Sequence, residues 1–201
     1  MELTEERVIP KLMNPKSGIL IEHIARYEFA RKFAQGRVLD IACGVGYGTE
    51  IVFDDNPAIS QFVGIDISEV AIEYAKTHYN YPEAEYYVDD ALNENLHKTY
   101  GTFDTIISFE TIEHFYGDEI FVKNLYNLLN PGGKLIISTP FGRGKNEPCS
   151  APHHVYQYTE AEFLEVLSPF EQITMYHQID NIIEIPKPEK KYYLMVAVCK
   201  K

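Results

Sequence analysis

The sequence predicts an α/β fold in which helices cover both faces of a doubly wound, seven-stranded, mostly parallel sheet. Apolar strand-like runs alternate with helix-like segments from residue 17 to residue 168, the pattern of a parallel sheet with helical crossovers. The last two strand-like runs have no helix between them, so they should form an antiparallel hairpin. The chain has 201 residues and is 45% hydrophobic, which is enough for one domain with a full core.

The predicted elements follow one another in a regular order. Residues 17–36 should form an N-terminal helix with Ser17 as N-cap and Gly36 as stop, because Ile21, Ala25 and Phe29 recur every fourth residue. Thr159 and Glu162 have the spacing of a capping box for the last helix. The other predicted helices are 46–55, 68–79 and 118–129, and the strands are 37–42, 61–66, 84–88, 103–109, 133–139, 171–179 and 190–200.

Charge and cysteine content exclude several classes of protein. The formal net charge is −12, with 30 acidic against 18 basic residues, so a nucleic-acid partner is disfavoured. The three cysteines show no CxxC spacing, which argues against a disulfide framework or zinc knuckle and favours a reducing compartment. No run of 18 apolar residues and no signal-peptide pattern occurs. These features predict a soluble cytoplasmic protein.

A glycine-rich loop follows the first predicted strand, in the sequence VLDIACGVGYG. Glycines there let a backbone approach a ligand, and the next helix offers free N–H groups. Asp66 ends the second strand, where an acid can bind both hydroxyls of a ribose. Thr49 replaces the third glycine of the dinucleotide fingerprint. Asp40, inside the first strand, suits a ligand that carries an ammonium group.

The motifs from residue 37 to residue 140 resemble, in order, those of class I S-adenosylmethionine-dependent methyltransferases. This resemblance implies a Rossmann-like fold that binds S-adenosylmethionine and transfers its methyl group. It also implies the roles of individual residues. Asp40, Ala42 and Gly44 would lie near the methionine part, Gly46 would allow close approach, Asp66 would bind the ribose, Ile67, Asp90 and Ala91 would contact the adenine, and Phe109 would line the pocket near the methyl group.

The same resemblance divides a single domain, residues 1–201, into three parts. Residues 1–36 would form an N-terminal lid helix, and residues 37–140 the cofactor-binding core. Residues 141–201 would contribute the acceptor-side loop, the last helix and the terminal hairpin. The protein would act as a monomer or a homodimer.

Two further segments resemble a bacterial methyltransferase group associated with glycan assembly, EHIARYEFA and HHVYQYTEAEF. The acceptor would then be a small polar molecule, such as a glycan precursor or a secondary metabolite, methylated on oxygen or nitrogen. His23 and Tyr27 lie four residues apart on one helical face, where a lid helix would bring them to substrate. His154 is the histidine expected to face the pocket, and Arg143 is expected to bind an anionic group of the substrate.

The segment FETIEHF, residues 109–115, allows three interpretations. Glu110 or His114 could take a proton from the acceptor, since histidine exchanges protons near neutral pH. Glu110, Glu113, His114 and His154 resemble the metal ligands of 3′-terminal RNA ribose methyltransferases, and this donor set suits a divalent metal. Glu113 and His114 could instead be structural. The metal is not the favoured interpretation, because the chain is acidic; a non-catalytic cofactor-binding module and a dinucleotide oxidoreductase remain further alternatives.

Overall fold

The computed structural model describes residues 7–53, 56–149 and 151–201. Their sheet has eight strands in the order β3-β2-β1-β4-β5-β8-β6-β7. Strands β1 to β5 are parallel, and β8 pairs antiparallel with β5 and with β6. The strands are β1 (Gly36–Ile41), β2 (Ile59–Asp66), β3 (Ala84–Val88), β4 (Phe103–Phe109), β5 (Leu129–Pro140), β6 (Gln172–Ile179), β7 (Ile182–Glu184) and β8 (Leu194–Lys200).

The predicted fold class is confirmed, but the predicted strand count of seven is wrong. The additional strand is β7, which pairs antiparallel with β6 after a turn in which Asp180 has a φ of +50°. It has three residues, too few to show the period-two alternation by which a strand is recognised. The predicted hairpin of 171–179 and 190–200 is present as β6 and β8.

The helices are α1 (Gly18–Arg31), α2 (Tyr47–Phe53), α3 (Glu69–His78), α4 (Leu96–Tyr100), α5 (Asp118–Leu128) and α6 (Glu160–Val166). Helix α1 ends at Arg31, before Gly36, and the Ser17 side chain makes no capping hydrogen bond. The capping box of Thr159 and Glu162 is present. Helix α4 was not predicted, and the predicted end of α2, residues 54 and 55, lies outside the described residues. None of the described helices is long and apolar enough to cross a lipid bilayer.

Two apolar layers lie on opposite faces of the sheet. Val38 belongs to one layer and its neighbour Leu39 to the other, because successive side chains of a strand point to opposite faces. Burying each such side chain contributes about 1.5–3 kcal/mol to folding. Strand β1 pairs with β2 on one side and β4 on the other, so the strand order reverses there. In a doubly wound sheet, ligands bind at the carboxyl ends of the strands beside this reversal.

Candidate active site

Two adjoining cavities open at the carboxyl ends of β1, β2 and β4. The larger has a volume of about 420 Å³ and the smaller about 180 Å³. Ala42, Asp66 and His114 line both, so the two cavities meet at these residues. Helix α1 forms one wall of the larger cavity.

The glycine loop after β1 has one glycine that faces the larger cavity and one that does not. Gly44 has a φ of +56°, and an added Cβ would point into open space. Gly46 has a φ of +80°, and an added Cβ would lie 2.7 Å from the Cβ of Ala75. Gly44 therefore leaves room for a ligand, whereas Gly46 lets the loop pack against α3.

Asp66 is held in a fixed orientation at the junction of the cavities. Its Oδ2 accepts a hydrogen bond of 2.8 Å from the backbone N–H of Gly44, and its Oδ1 accepts one of 2.9 Å from that of Ser68. Each carboxylate oxygen retains a second lone pair. The carboxylate can thus still accept two hydrogen bonds from a ligand, as the ribose prediction requires.

Asp40 is fully buried behind the wall of the larger cavity. The Tyr27 hydroxyl donates a hydrogen bond of 2.9 Å to Oδ2, while Oδ1 is buried without a partner. Burial, with a smaller contribution from the charge of Asp66, raises the pKa of Asp40 to about 7 against the lowering effect of the Tyr27 hydrogen bond. Asp40 is therefore a buried acid that titrates near neutral pH.

The predicted α1 residues His23 and Tyr27 both line the larger cavity. His23 Nδ1 lies 2.9 Å from the Tyr47 hydroxyl. Burial, and then the charge of Arg26, lower the pKa of His23 well below its usual value, so this histidine is neutral. The ring of Tyr27 makes edge contacts with Tyr47 and Phe109, with ring centroids 5.1 Å apart in each pair.

Arg26 also lines the larger cavity, although it was not among the residues predicted from the sequence. Its side chain is 1% exposed, and its Nη1 donates a hydrogen bond of 2.9 Å to Oε1 of Gln178 on β6. The available signal was the pair of apolar residues Phe29 and Ala30, three and four positions later, which share a helical face with Arg26.

Glu110 ends β4 in a turn that separates it from the next two candidate residues. Its φ is +50°, and its Oε1 accepts a hydrogen bond of 2.6 Å from the Ser138 hydroxyl. The helical turn comprises only Ile112–His114. Glu110 therefore does not share a helical face with Glu113 and His114, although all three line the larger cavity together with Phe109.

Glu113 is buried and links two loops. Its Oε2 accepts a hydrogen bond of 3.0 Å from Thr139, while Oε1 is buried without a partner. Burial, followed by the charge of Glu110, raises the pKa of Glu113 well above its usual value. Its backbone carbonyl accepts hydrogen bonds from the N–H groups of Val155 and Tyr156, which fixes the loop that carries His154.

His114 is oriented by a backbone group. Its Nδ1 lies 3.1 Å from the carbonyl oxygen of His153. A carbonyl oxygen only accepts, so Nδ1 carries the proton and Nε2 is left as an acceptor in neutral imidazole. The rings of His114 and His154 meet edge to face, 4.8 Å apart. Glu113, His114 and His154 can each offer an atom to a metal, all within 4.8 Å of one another; Glu110 is not part of this cluster.

Arg143 does not line either cavity. It is exposed, and its Nη2 donates a hydrogen bond of 2.7 Å to the carbonyl of Pro148 within the same loop. Its neighbour Lys145 forms an ion pair of 2.6 Å with Asp118. The expected anion-binding role of Arg143 at the cavity is therefore not supported, because the loop folds back on itself.

The smaller cavity lies at the carboxyl ends of β2 and β3. Ile67 is 70% exposed and lines it together with Asp90, Ala91 and Phe115. Asp90 Oδ1 accepts a hydrogen bond of 2.8 Å from the N–H of Leu92. The three residues predicted to contact the adenine, Ile67, Asp90 and Ala91, are thus brought together at one cavity.

Comparisons with known proteins agree with this arrangement. Over 171 residues, the chain is 27% identical to a probable S-adenosylmethionine-dependent methyltransferase of Mycolicibacterium smegmatis, covering 83% of this chain and 63% of that protein. A ubiquinone biosynthesis O-methyltransferase of Mesorhizobium japonicum is 35% identical over 112 residues, 55% of this chain and 43% of that protein. The chain thus spans less than two thirds of the length of either relative.

Among solved structures, the N-methyltransferase NodS of Bradyrhizobium japonicum, in complex with S-adenosyl-L-homocysteine, superposes with a TM-score of 0.62 at 18% identity. The match covers 89% of this chain and 84% of NodS, and it establishes the fold alone. Residues 17–188 match the family described as the methyltransferase domain. The chain therefore belongs to this family of class I S-adenosylmethionine-dependent methyltransferases.

Proposed function

We propose that the protein transfers a methyl group from S-adenosylmethionine to an oxygen or nitrogen of a small polar acceptor. The observation that carries this proposal is the pair of cavities that meet at Asp66 and His114. The smaller cavity is lined in part by apolar side chains such as Ile67, Ala91 and Phe115, which suit an adenine. The larger is lined by more ionisable side chains, among them Glu22, Glu110 and Glu113. A long ligand with an aromatic base at one end and a charged amino acid at the other fits this pair.

The residues at the junction suit the adenosyl part of such a cofactor. Asp66 would accept hydrogen bonds from the two ribose hydroxyls, and Ile67 would pack against the adenine. The open space at Gly44 would admit the methionine part, whose ammonium group is attracted by the charge of ionised Asp40. When bound, the cofactor supplies an electrophilic methyl group on a sulfonium centre.

His114 would act as the general base. Its Nδ1 is held by the carbonyl of His153, which leaves Nε2 to take the proton from an acceptor hydroxyl or amine. General bases of this kind typically contribute about 10²–10⁴-fold to a rate. The rest of the acceleration would come from holding the acceptor in line with the methyl group, a task for the wall formed by His23 and Tyr27.

The acceptor would be small and polar. A cavity of about 420 Å³ must hold the methionine part as well as the acceptor, and small-molecule sites range from roughly 300 to 1,000 Å³. The relatedness to ubiquinone biosynthesis O-methyltransferases supports oxygen as the methylated atom. A hydroxylated glycan precursor or secondary metabolite is the acceptor class that we expect.

Calorimetric titration with S-adenosylmethionine, S-adenosylhomocysteine and NAD tests the cofactor. We expect both adenosyl ligands to bind and NAD not to bind. A panel of hydroxylated and amine-bearing acceptors, read out by formation of S-adenosylhomocysteine, tests the reaction. Absence of adenosyl binding would overturn the proposal, and binding without turnover on any acceptor would favour a non-catalytic binding module.

The cluster of Glu113, His114 and His154 favours one second candidate, a metal-dependent methyltransferase that acts on RNA 3′-terminal ribose. Two imidazoles and a carboxylate suit zinc, iron or manganese, and Nδ1 of His114 is held by a carbonyl as in many metal-bound histidines. Elemental analysis of protein prepared without chelators distinguishes the two. One metal per chain, lost in His154→Ala, would promote this candidate; the net charge of −12 speaks against RNA.

A further inference from the structure

A third cavity lies beside the segment that joins β7 to β8. Its walls come from that segment, from Phe141, which follows β5, and from His177 on β6. No residue that lines the third cavity also lines either cavity of the candidate active site. The third cavity is therefore a separate place at which a ligand can bind.

The charge around the third cavity differs from that of the whole chain. The formal net charge of the chain is −12, yet the side chains of Lys187, Lys190 and His177 line this cavity. None of the described residues that line it is acidic. A cavity lined by one sign of charge concentrates ligands of the opposite sign, so this lining favours an anion.

One carboxylate holds both lysines in place. Glu184 accepts a hydrogen bond of 2.6 Å from Nζ of Lys187 and another of 2.6 Å from Nζ of Lys190, and the Tyr192 hydroxyl donates to it at 3.0 Å. The hydrogen bonds from Lys187 and then from Lys190 lower the pKa of Glu184 to about 2, so this carboxylate stays ionised at neutral pH. Each ammonium group has three N–H donors, of which two remain for a ligand.

His177 adds a third polar group to the same cavity. Its side chain is 10% exposed, and its Nε2 lies 2.7 Å from Oε2 of Glu160, at an angle too bent for a hydrogen bond. Nδ1 makes no hydrogen bond with the described part of the chain, and it is not enclosed as Nε2 is. Either ring nitrogen of a histidine can carry a proton and donate a hydrogen bond, so Nδ1 is available to an acceptor in the cavity.

Flat side chains form the rest of the wall. The ring of His177 makes edge contacts with those of Phe141, at a centroid distance of 4.8 Å, and Tyr192, at 5.2 Å. Pro186 and Pro188 also line the cavity, and proline fixes φ, which restricts the backbone of this segment. Aromatic surfaces of this kind pack favourably against another planar ring.

We propose that the third cavity binds a phosphate monoester that is carried on a planar ring. The phosphate has three strongly accepting oxygens, which would take hydrogen bonds from Lys187, Lys190 and Nδ1 of His177. The ring would pack against Phe141 and Tyr192. This inference does not rest on the proposed function, because the third cavity shares no lining residue with the candidate active site.

Calorimetry of the wild-type protein with three probes tests both parts of this ligand. Phenyl phosphate carries the ring and the anion, inorganic phosphate carries the anion alone, and phenol carries the ring alone. We expect phenyl phosphate to bind at least about tenfold more tightly than either of the others, because ring burial and charge-assisted hydrogen bonds both contribute to its affinity. If phenyl phosphate bound no more tightly than inorganic phosphate, or no more tightly than phenol, the inference would be overturned.

Substitutions of the lysines then locate the binding site. Lys187→Gln and Lys190→Gln should each weaken binding of phenyl phosphate about 3- to 10-fold, a modest loss because solvent screens exposed charges. Lys191→Gln is the matched control, since Lys191 carries the same charge in the same segment but does not line the cavity. Its effect should be less than about twofold, and thermal unfolding checks that every variant is folded. Equal losses in all three variants would contradict a specific site and indicate only general attraction of the anion.

Phe141→Leu tests the contact with the ring. This variant keeps the wall apolar but removes one aromatic ring, so it should weaken binding of phenyl phosphate and leave that of inorganic phosphate unchanged. An unchanged affinity for phenyl phosphate in folded Phe141→Leu would overturn the proposed packing of the ring.

Discussion

The two cavities are built in different ways from the same strand ends. The smaller is lined by residues at the ends of β2 and β3, such as Ile67 and Ala91, and by the turn after β4. The larger shares the turn after β4 but depends also on α1 and on His154, which are distant in sequence. Its wall contains Arg26 and Glu113, both almost completely buried.

The two cavities therefore suit different tasks: the smaller one suits ligand binding, and the larger one suits catalysis. Apolar surface beside a few backbone groups is sufficient to hold a planar base, and it costs the folded protein little. Buried charges and acids cost several kcal/mol of folding free energy, and natural proteins retain such costs where function needs them. The larger cavity is therefore where we expect the reacting groups to be positioned.

Among the substitutions proposed here, His114→Ala should have the largest effect on activity. With an acceptor from the panel described above, kcat should fall about 10²- to 10⁴-fold, while affinity for S-adenosylhomocysteine should change less than tenfold. His153→Ala is the matched control, because His114 is oriented by the backbone carbonyl of His153 and not by its side chain. If His114→Ala retained the wild-type kcat, this histidine would be excluded as the base.

Asp66→Ala should weaken ligand binding at both cavities, because Asp66 lines both. Losing two charge-assisted hydrogen bonds to a ribose, and the bonds that fix Gly44 and Ser68, should weaken S-adenosylhomocysteine binding about 100-fold or more by calorimetry. Asp66→Asn should fall between this variant and the wild type. Glu69→Ala, an exposed acid three residues away, serves as control; equal losses in both variants would mean that general charge rather than the ribose contact matters.

Asp40→Asn should make the folded protein more stable and should weaken its binding of the cofactor. The pKa of Asp40 is raised from 3.8 to about 7, so the folded state disfavours its charged form. The folded protein then binds more protons than the unfolded chain between about pH 4 and pH 7, and the free energy of unfolding falls as pH rises through that window.

Asp40→Asn should increase the free energy of unfolding by about 1–4 kcal/mol at pH 8, and this increase should disappear near pH 4. Binding of S-adenosylhomocysteine to the wild type should weaken as pH falls through about 7, because protonated Asp40 no longer attracts the ammonium group. Denaturant unfolding at several pH values measures the first effect and calorimetry the second. Asp180→Asn, at an exposed acid, is the control; a pH-independent gain in Asp40→Asn would contradict the assignment.

Ile67→Ala tests the smaller cavity and should have the smallest effect. The side chain is 70% exposed, so its loss should change the free energy of unfolding by less than about 0.5 kcal/mol. If an adenine covers it, affinity for S-adenosylhomocysteine should fall roughly 3- to 10-fold. Val70→Ala, 53% exposed at the start of α3, should leave affinity unchanged, and an equal loss there would argue against adenine contact at Ile67.

Features that depend on a few neighbouring residues could be predicted from the sequence. The predicted capping box at Thr159 is present, because its hydrogen bonds join residues three apart. Asp66, at the end of β2, and Gly44, in the loop after β1, could be predicted to lie at the open edge of the sheet, and both line the larger cavity. Strand β7 and helix α4 were not predicted, because elements of three and five residues are too short to show a hydrophobic periodicity.

The amino-acid sequence by itself determined the alternating strands and helices, the glycine loop and the acid beside it, since periodicity and spacing act over short distances. Only the tertiary structure decided which groups meet in the larger cavity. Arg26 and Gln178 are 152 positions apart, and His114 is oriented by a carbonyl 39 positions away. Arg143, close to the site in sequence, folds away from it. Contacts of this kind follow from the packing of whole elements, which no local pattern of residues encodes.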